Sequence, residues 1–303
     1  MIFMKSILVC FLILSLSSIA QKKDKKLQQK LEILSKGFNG DFGVYVKNLK
    51  SGKTAAINAD SIFPTASMVK VPILIGIMDK IEKGELGYHD DLVYKDSLLY
   101  EGVDILGSYK SGEKIELSKV MMLMLTMSDN TASLWLQSLA GGGTRINQIL
   151  DSVGLKDTRV NSRTPGREQN RNLYGWGQTT PREMATLLER IYKNQVVSIA
   201  ACERMQRSLG RNYWDANAIS QIPPYASVLS KSGAVDESRS EVLLVNGRKC
   251  SYVFCISTKN NKDQSWKQEN EAWVLTRKIS KMLWEYFERA DKWKTADDAA
   301  KIY

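Results

Sequence analysis

The sequence predicts an α+β fold: an antiparallel sheet built from both chain ends, flanked by helices, with an inserted all-helical subdomain. Three observations carry this. Residues 42–57 read as a hairpin, residues 227–257 supply three further strand candidates, and the stretch between them is patterned as helices. The longest apolar segment, residues 66 to about 83, is apolar on every side, and such a helix belongs in the middle of a protein.

The elements follow in order. Residues 1–20 have a lysine, Lys5, before an apolar run from Ile7 to Leu16, then small residues at Ser18 and Ala20. This is the pattern of a cleaved export signal, with Gln21 as the new N-terminus, and the run is too short to span a bilayer comfortably. Leu27, Leu31, Leu34 and Phe38 recur at helical spacing. Phe42–Val46 and Thr54–Ile57 form the first hairpin, around Lys50–Lys53. Pro72 falls inside the apolar helix, where a backbone donor is lost.

Helices are expected over 117–126, 131–139, 144–152 and 181–193. The last has Thr180 as N-cap, Pro181 in the first position and Glu183 completing a capping box. Residues 158–179 form a polar segment too long for a simple connector. Strands 227–230, 241–245 and 251–257 follow, with a turn at Asn246–Lys249, then a helix over 273–287 and fraying from Arg289 onward. The expected organisation is a signal (1–20), one catalytic domain (21–290) and a charged tail (291–303). In that domain, residues of about 26–60 and 212–290 form the sheet-bearing part, and about 61–211 the helical part.

Composition narrows the function. The chain has 303 residues, 43% hydrophobic and 25% charged, with a net charge of +10, as in ordinary soluble domains. The lysines crowded at 22, 23, 25, 26 and 30 read as a solvated run, and no nucleic-acid-binding pattern accompanies them. Cys202, Cys250 and Cys255 survive signal cleavage. The last two are placed on one strand with opposite facing, so they cannot bridge, and buried thiols are expected. No cysteine–histidine spacing fits a metal site, and no cofactor is expected.

Three motifs carry chemistry: Ser67-Met68-Val69-Lys70, Ser128-Asp129-Asn130 and Lys231-Ser232-Gly233. A serine hydroxyl needs a base. The single histidine, His89, sits in a polar turn-like segment, so a Ser-His-Asp arrangement is a poor fit. On a helix, residues three apart share a face, so Lys70 would stand beside Ser67. Burial or a nearby cation such as Lys231 would lower its pKa enough to make it a base. The spacing alone is weak, since Ser111-Gly112-Glu113-Lys114 repeats it in a polar turn. Ser128-Asp129-Asn130 also reads as a helix cap, and Lys231-Ser232-Gly233 suits a strand edge that binds a carboxylate.

As an ordered set, these motifs resemble the penicillin-recognising serine hydrolases, class A β-lactamases in particular. The likeness extends to residues 128–134, to Thr179-Thr180-Pro181 with Met184-Ala185-Thr186, and to Lys231–Ala234 with Arg239. It covers about residues 30–288. It implies a three-layer β-lactamase/transpeptidase-like sandwich acting on a small-molecule substrate, a β-lactam or a peptidoglycan-like peptide, as an exported monomer without stable membrane insertion.

It also implies roles. Ser67 is the acylated nucleophile, Lys70 its activator and Ser128 the proton shuttle. Asn130 holds the amide, Lys231 and Ser232 the carboxylate with Arg239, and the backbone N–H groups of Ser67 and Ala234, beside Gly233, form the oxyanion hole. One departure concerns deacylation. Thr164 stands where that family carries its water-activating glutamate. Glu168, four residues on, is the candidate replacement, or else a surface residue paired with Arg167 or Arg171. The implied activity is β-lactam hydrolysis. The alternative is a penicillin-binding D-alanyl-D-alanine peptidase or esterase with slow deacylation, and a non-catalytic wall-binding module is a third reading.

Overall fold

The computed structural model describes residues 22–295 apart from residue 103. The expected export signal and the tail beyond residue 295 lie outside the described residues. Helix α1 (Lys25–Ser35) leads into β1 (Asp41–Asn48), β2 (Thr54–Ile57) and the short β3 (Phe63–Pro64). A 3-10 turn (Ala66–Val69) runs into α2 (Lys70–Glu82). Next come β4 (Asp91–Val93), β5 (Lys114–Glu116), α3 (Leu117–Met122), a π-helical turn (Leu123–Met127), α4 (Asn130–Leu139) and α5 (Gly142–Ser152). Then follow β6 (Arg159–Val160), α6 (Glu168–Tyr174), β7 (Gly177–Thr179), α7 (Pro181–Tyr192) and α8 (Ile199–Leu209). The chain closes with β8 (Ser227–Val235), β9 (Ser238–Asn246), β10 (Ser251–Lys259) and α9 (Glu271–Phe287).

The main sheet has the order β2-β1-β10-β9-β8 and is antiparallel throughout. Strand β1 pairs with β10 from Asp41↔Lys259 to Asn48↔Tyr252, so the two chain ends meet inside one sheet. Alternation splits its side chains between two cores, because successive residues of a strand face opposite ways. Val44, Val46, Leu243, Val245 and Phe254 pack against α1 and α9. Tyr45, Val242, Leu244, Val253 and Cys255 pack toward α2, α7 and the helical layer. The result is three layers, and α2 runs through the larger core with Val71, Ile73, Leu74 and Ile77 fully buried.

Several expectations need correction. Residues 66–83 are not one helix: the 3-10 turn hands over to α-helix at Lys70. Pro72 therefore falls in the first turn of α2, where a missing N–H costs little. The 117–126 helix breaks into the π turn. Residues 158–179 are ordered, since β6 and β3 flank β7 and α6 lies between. Helix α8 went unread, although Ser198 caps it by accepting the Ala201 N–H. Residues 289–295 are not frayed: Asp291 accepts from Tyr225 Oη, and Thr295 Oγ1 bonds Ser220 and Gln221. All three described cysteines are free. Cys250 precedes β10 and does not lie on it, while burial pushes the Cys255 thiol up to about 12.

Thr180 caps α7 as expected, accepting the Glu183 N–H. Glu183 does not complete the box. Its carboxylate accepts instead from the backbone N–H groups of Lys156, Asp157 and Thr158, pinning the entry to the 158–179 segment. Replacing Glu183 with alanine should therefore cost about 2 kcal/mol, against about 1 kcal/mol for Thr180→Ala. Urea unfolding of both variants checks the order.

Candidate active site

The 3-10 turn that carries Ser67 is held from two sides. Thr65 donates its N–H to Gly177 O in β7, and Ser240 Oγ in β9 donates to Thr65 O. Ala66 is forced to φ +43°, a region alanine rarely adopts. Strand β8 lies against this turn. A Cβ on Gly233 would fall 2.5 Å from Thr65 O and 2.8 Å from Ser67 N. Only glycine lets the strand approach so closely, which gives the third motif its physical reason.

Lys70 opens α2 and is fully buried. Its Nζ lies 3.1 Å from Ser67 Oγ, 3.0 Å from Ser128 Oγ and 2.8 Å from Asn130 Oδ1. It also donates to Ser128 O at 2.5 Å. Burial holds its pKa well below the ordinary lysine value, and the Lys231 cation adds to the effect, while Asp104 and Asp129 oppose it. In its neutral form its two protons would reach Ser128 O and Asn130 Oδ1 and leave its lone pair for the Ser67 hydroxyl.

The second motif divides its labour. The π turn ends at Ser128 with φ +61°. Asp129 does the capping, accepting from Ala132 N in α4 and, through its other oxygen, from Leu106 N. Ser128 and Asn130 are thereby turned toward Lys70. Asp104, which no sequence signal singled out, accepts the N–H groups of Asn130 and Thr131 and fixes this loop from outside.

Lys231 is also fully buried, and its Nζ donates to Ser232 O at 3.0 Å. Burial lowers its pKa to about 8, against the pull of Glu241. Two cavities, of about 380 and 510 Å3, meet at Ser67, Asn130 and Ala234. Tyr100, Leu173 and Trp176 wall the first. Ser128, Ser232 and Gly233 line the second, together with Trp214, Glu241 and Trp273. Ser67, Lys70, Ser128, Asn130, Lys231, Ser232, Gly233 and Ala234 are thus brought together.

Arg239 reaches the second cavity, but its guanidinium is largely committed. Nη1 donates to the carbonyls of Val235, Asp236 and Ser238, and Nη2 donates to Ser265 O. The rings of Trp266 and Trp273 stack on it at 4.5 and 4.8 Å. Glu168 is not brought to Ser67. It opens α6 on the surface, accepts the Gly166 N–H, and lines neither cavity. Arg167 turns inward to Asn161 and Gln178. Thr164 is buried, with its hydroxyl on Ser162 O. His89 stands exposed beside Glu116, away from both cavities. Sequence reasoning also missed Glu241 and the tryptophans. A glutamate opening the otherwise apolar strand 241–245 was the available signal.

A Ser–Lys site between a five-stranded antiparallel sheet and a helical layer defines the β-lactamase/transpeptidase fold. The chain belongs to the beta-lactamase enzyme family, whose model matches residues 25–287. It is similar to Beta-lactamase VEB-1 of Pseudomonas aeruginosa, 23% identical over 275 residues, covering 86% of this chain and 90% of that protein. It is also similar to Beta-lactamase SME-1 of Serratia marcescens, 23% identical over 235 residues, 75% of this chain and 77% of that one. Among solved structures it resembles an acyl-enzyme complex of a PBP-A variant with penicillin G, with TM-score 0.79 and 25% identity, over 89% of this chain and 98% of that one. A beta-lactamase from Sphaerobacter thermophilus shares the fold at TM-score 0.77 and 20% identity, over 88% and 98% of the two chains.

Gly233→Ala should force β8 away from the turn that carries Ser67. We expect about 2 kcal/mol of lost stability and at least a roughly tenfold slower labelling of Ser67 by a fluorescent penicillin, since reacting groups displaced by an ångström lose about a hundredfold. Urea unfolding and gel-based labelling check both.

Proposed function

We propose that the protein is a serine hydrolase that acts on amide bonds through an acyl-enzyme at Ser67, with β-lactams as its substrates. The observation that carries this is the buried Lys70 amine within hydrogen-bond distance of Ser67 Oγ, Ser128 Oγ and Asn130 Oδ1.

Neutral Lys70 takes the Ser67 proton as Oγ attacks the carbonyl carbon. The backbone N–H groups of Ser67 and Ala234 stabilise the oxyanion. Ser128 passes the proton to the leaving nitrogen, and Asn130 holds the substrate amide. Lys231 and Ser232 hold the carboxylate. Arg239 is reduced to the cavity wall, with only Nε left unpartnered. The expected signal places this activity outside the cytoplasm.

A second reading, a penicillin-binding D-alanyl-D-alanine peptidase or esterase with slow deacylation, is favoured by one observation. Glu168, the candidate acid in the 158–179 segment, lines neither cavity that reaches Ser67. The PBP-A structure, held as an acyl-enzyme with penicillin G, supports the same reading.

Intact-mass spectrometry over time separates the two. A penicillin adduct should form on wild type and be absent in Ser67→Ala; on the leading reading it clears rapidly, and on the second it persists for many minutes. Rapid return of free protein with nitrocefin turnover establishes the β-lactamase, and no adduct with any β-lactam removes both readings. Glu168→Gln should change release by less than about twofold, because a general base contributes about a hundredfold or more. A slowing of about tenfold or greater assigns Glu168 as the base.

The pH dependence follows from the two lysines. Protonated Lys70 cannot accept a proton, so the second-order acylation rate should rise with pH as Lys70 loses its charge. Lys231 loses its charge as pH rises through about 8, so acylation by anionic β-lactams should fall above that value. Lys231→Arg, which stays charged, should remove the falling limb. Stopped-flow acylation across pH 5–10 checks this, and an unchanged limb would refute the assignment.

A further inference from the structure

We infer that the second cavity contains a subsite for a cationic, hydrogen-bond-donating group on the leaving side of the substrate, and that Glu241 is the residue that selects it. This rests on the acyl-enzyme reading above and deepens it.

Glu241 opens the inner part of β9 and is only 3% exposed, yet it lines the cavity that reaches Ser67. One carboxylate oxygen accepts the Ala218 N–H at 3.0 Å. The other, Oε1, is buried without a partner. A buried acceptor left unpaired is costly. A ligand that brings a donor into the cavity would remove that cost.

The register places the subsite. Glu241 is directly opposite Ser232 in the β8–β9 ladder, so both side chains rise from one face. Ser232 and Lys231 are the groups proposed to hold the substrate carboxylate. Lys231 donates to Ser232 O, and among the described residues no ion pair joins it to Glu241. The other cation of the cavity, Arg239, is stacked between Trp266 and Trp273 and turned to backbone carbonyls. Neither cation occupies the free oxygen. A carboxylate-binding pair and an unpaired carboxylate therefore stand side by side, and Trp214 and Trp273 add aromatic walls that favour cations. The fitting leaving group carries both charges: an amino acid with a basic side chain.

The test uses the full chain with Ser67→Ala, which prevents turnover, with and without Glu241→Gln. Calorimetry measures two N-acyl dipeptides that differ only in their last residue, D-lysine or D-norleucine. We expect the D-lysine peptide to bind about tenfold more tightly, as a charge-assisted hydrogen bond provides, and the preference to fall below about twofold in E241Q. Equal binding of the two peptides, a preference that survives E241Q, or no binding of either at millimolar concentration overturns the inference. So does an equal loss for both peptides, which would make Glu241 a partner of Lys231 only. Should E241Q not fold, Glu241→Asp, which withdraws the charge by one methylene, gives the same readout. Binding is measured without acylation, so it is independent of whether penicillin labels Ser67.

Discussion

Everything in this molecule is arranged around one buried amine. An ammonium taken fully out of water is strongly disfavoured unless it is paired, and among the described residues no carboxylate forms an ion pair with Lys70, although Asp104 and Asp129 act on it from further off. Its close partners are two hydroxyls, an amide oxygen and a carbonyl. All four are uncharged, so none of them offsets the cost of a buried ammonium as an ion pair would. Lys231 works in the same direction from the neighbouring strand. Burial and a second positive charge thus lower the pKa of Lys70, which is what the proposed role of base requires.

That arrangement needs three chain segments distant in sequence to meet within hydrogen-bond distance. The sheet supplies the means. By closing β1 onto β10, it fixes β8 as an edge strand, and Gly233 allows that edge to touch the turn that carries Ser67. The helical layer supplies the other side, where the π turn and Asp129 present Ser128 and Asn130. Two residues at positive φ, Ala66 and Ser128, sit at the two contact points. Backbone strain of this kind costs about 1–3 kcal/mol per residue and persists only where surrounding contacts over-determine it. Here those contacts are Ser240 on Thr65 and Lys70 on Ser128.

Much of this was legible in the chain. The short apolar runs at 42–46 and 251–257 and the longer one after Ser67 are local patterns, and they led to the sheet and the buried helix. The three motifs could be read because their residue types matter to the chemistry. What could not be read depends on tertiary contacts. Glu183 looked like half of a capping box, yet three N–H groups from the preceding loop compete for its carboxylate and win. The π turn has no sequence signature, and Asp104 acts only because the chain folds back across α4. Glu168 was chosen by its distance along the chain, and the short helix α6 carries it to the surface.

The two halves of the proposed reaction are built on different kinds of structure. The proposed acylation uses groups on the 3-10 turn and α2, at the junction of the π turn with α4, and on β8, all anchored in the two cores. Release of the acyl group requires a water and a base on the face opposite the oxyanion donors. Tyr100, Leu173 and Trp176 line the first cavity, and two of these are contributed by the 158–179 segment. The same cavity is lined by Asn130 and Glu237 as well, and with Leu173 69% exposed its wall is open to water. Carboxylates line both cavities that reach Ser67: Glu237 the first, and Asp104 and Glu241 the second, with Glu241 opposite Ser232 in the ladder. On the proposed reading, recognition of the leaving group falls to the second cavity, beside Ser232 and Glu241, and release of the acyl group to the first.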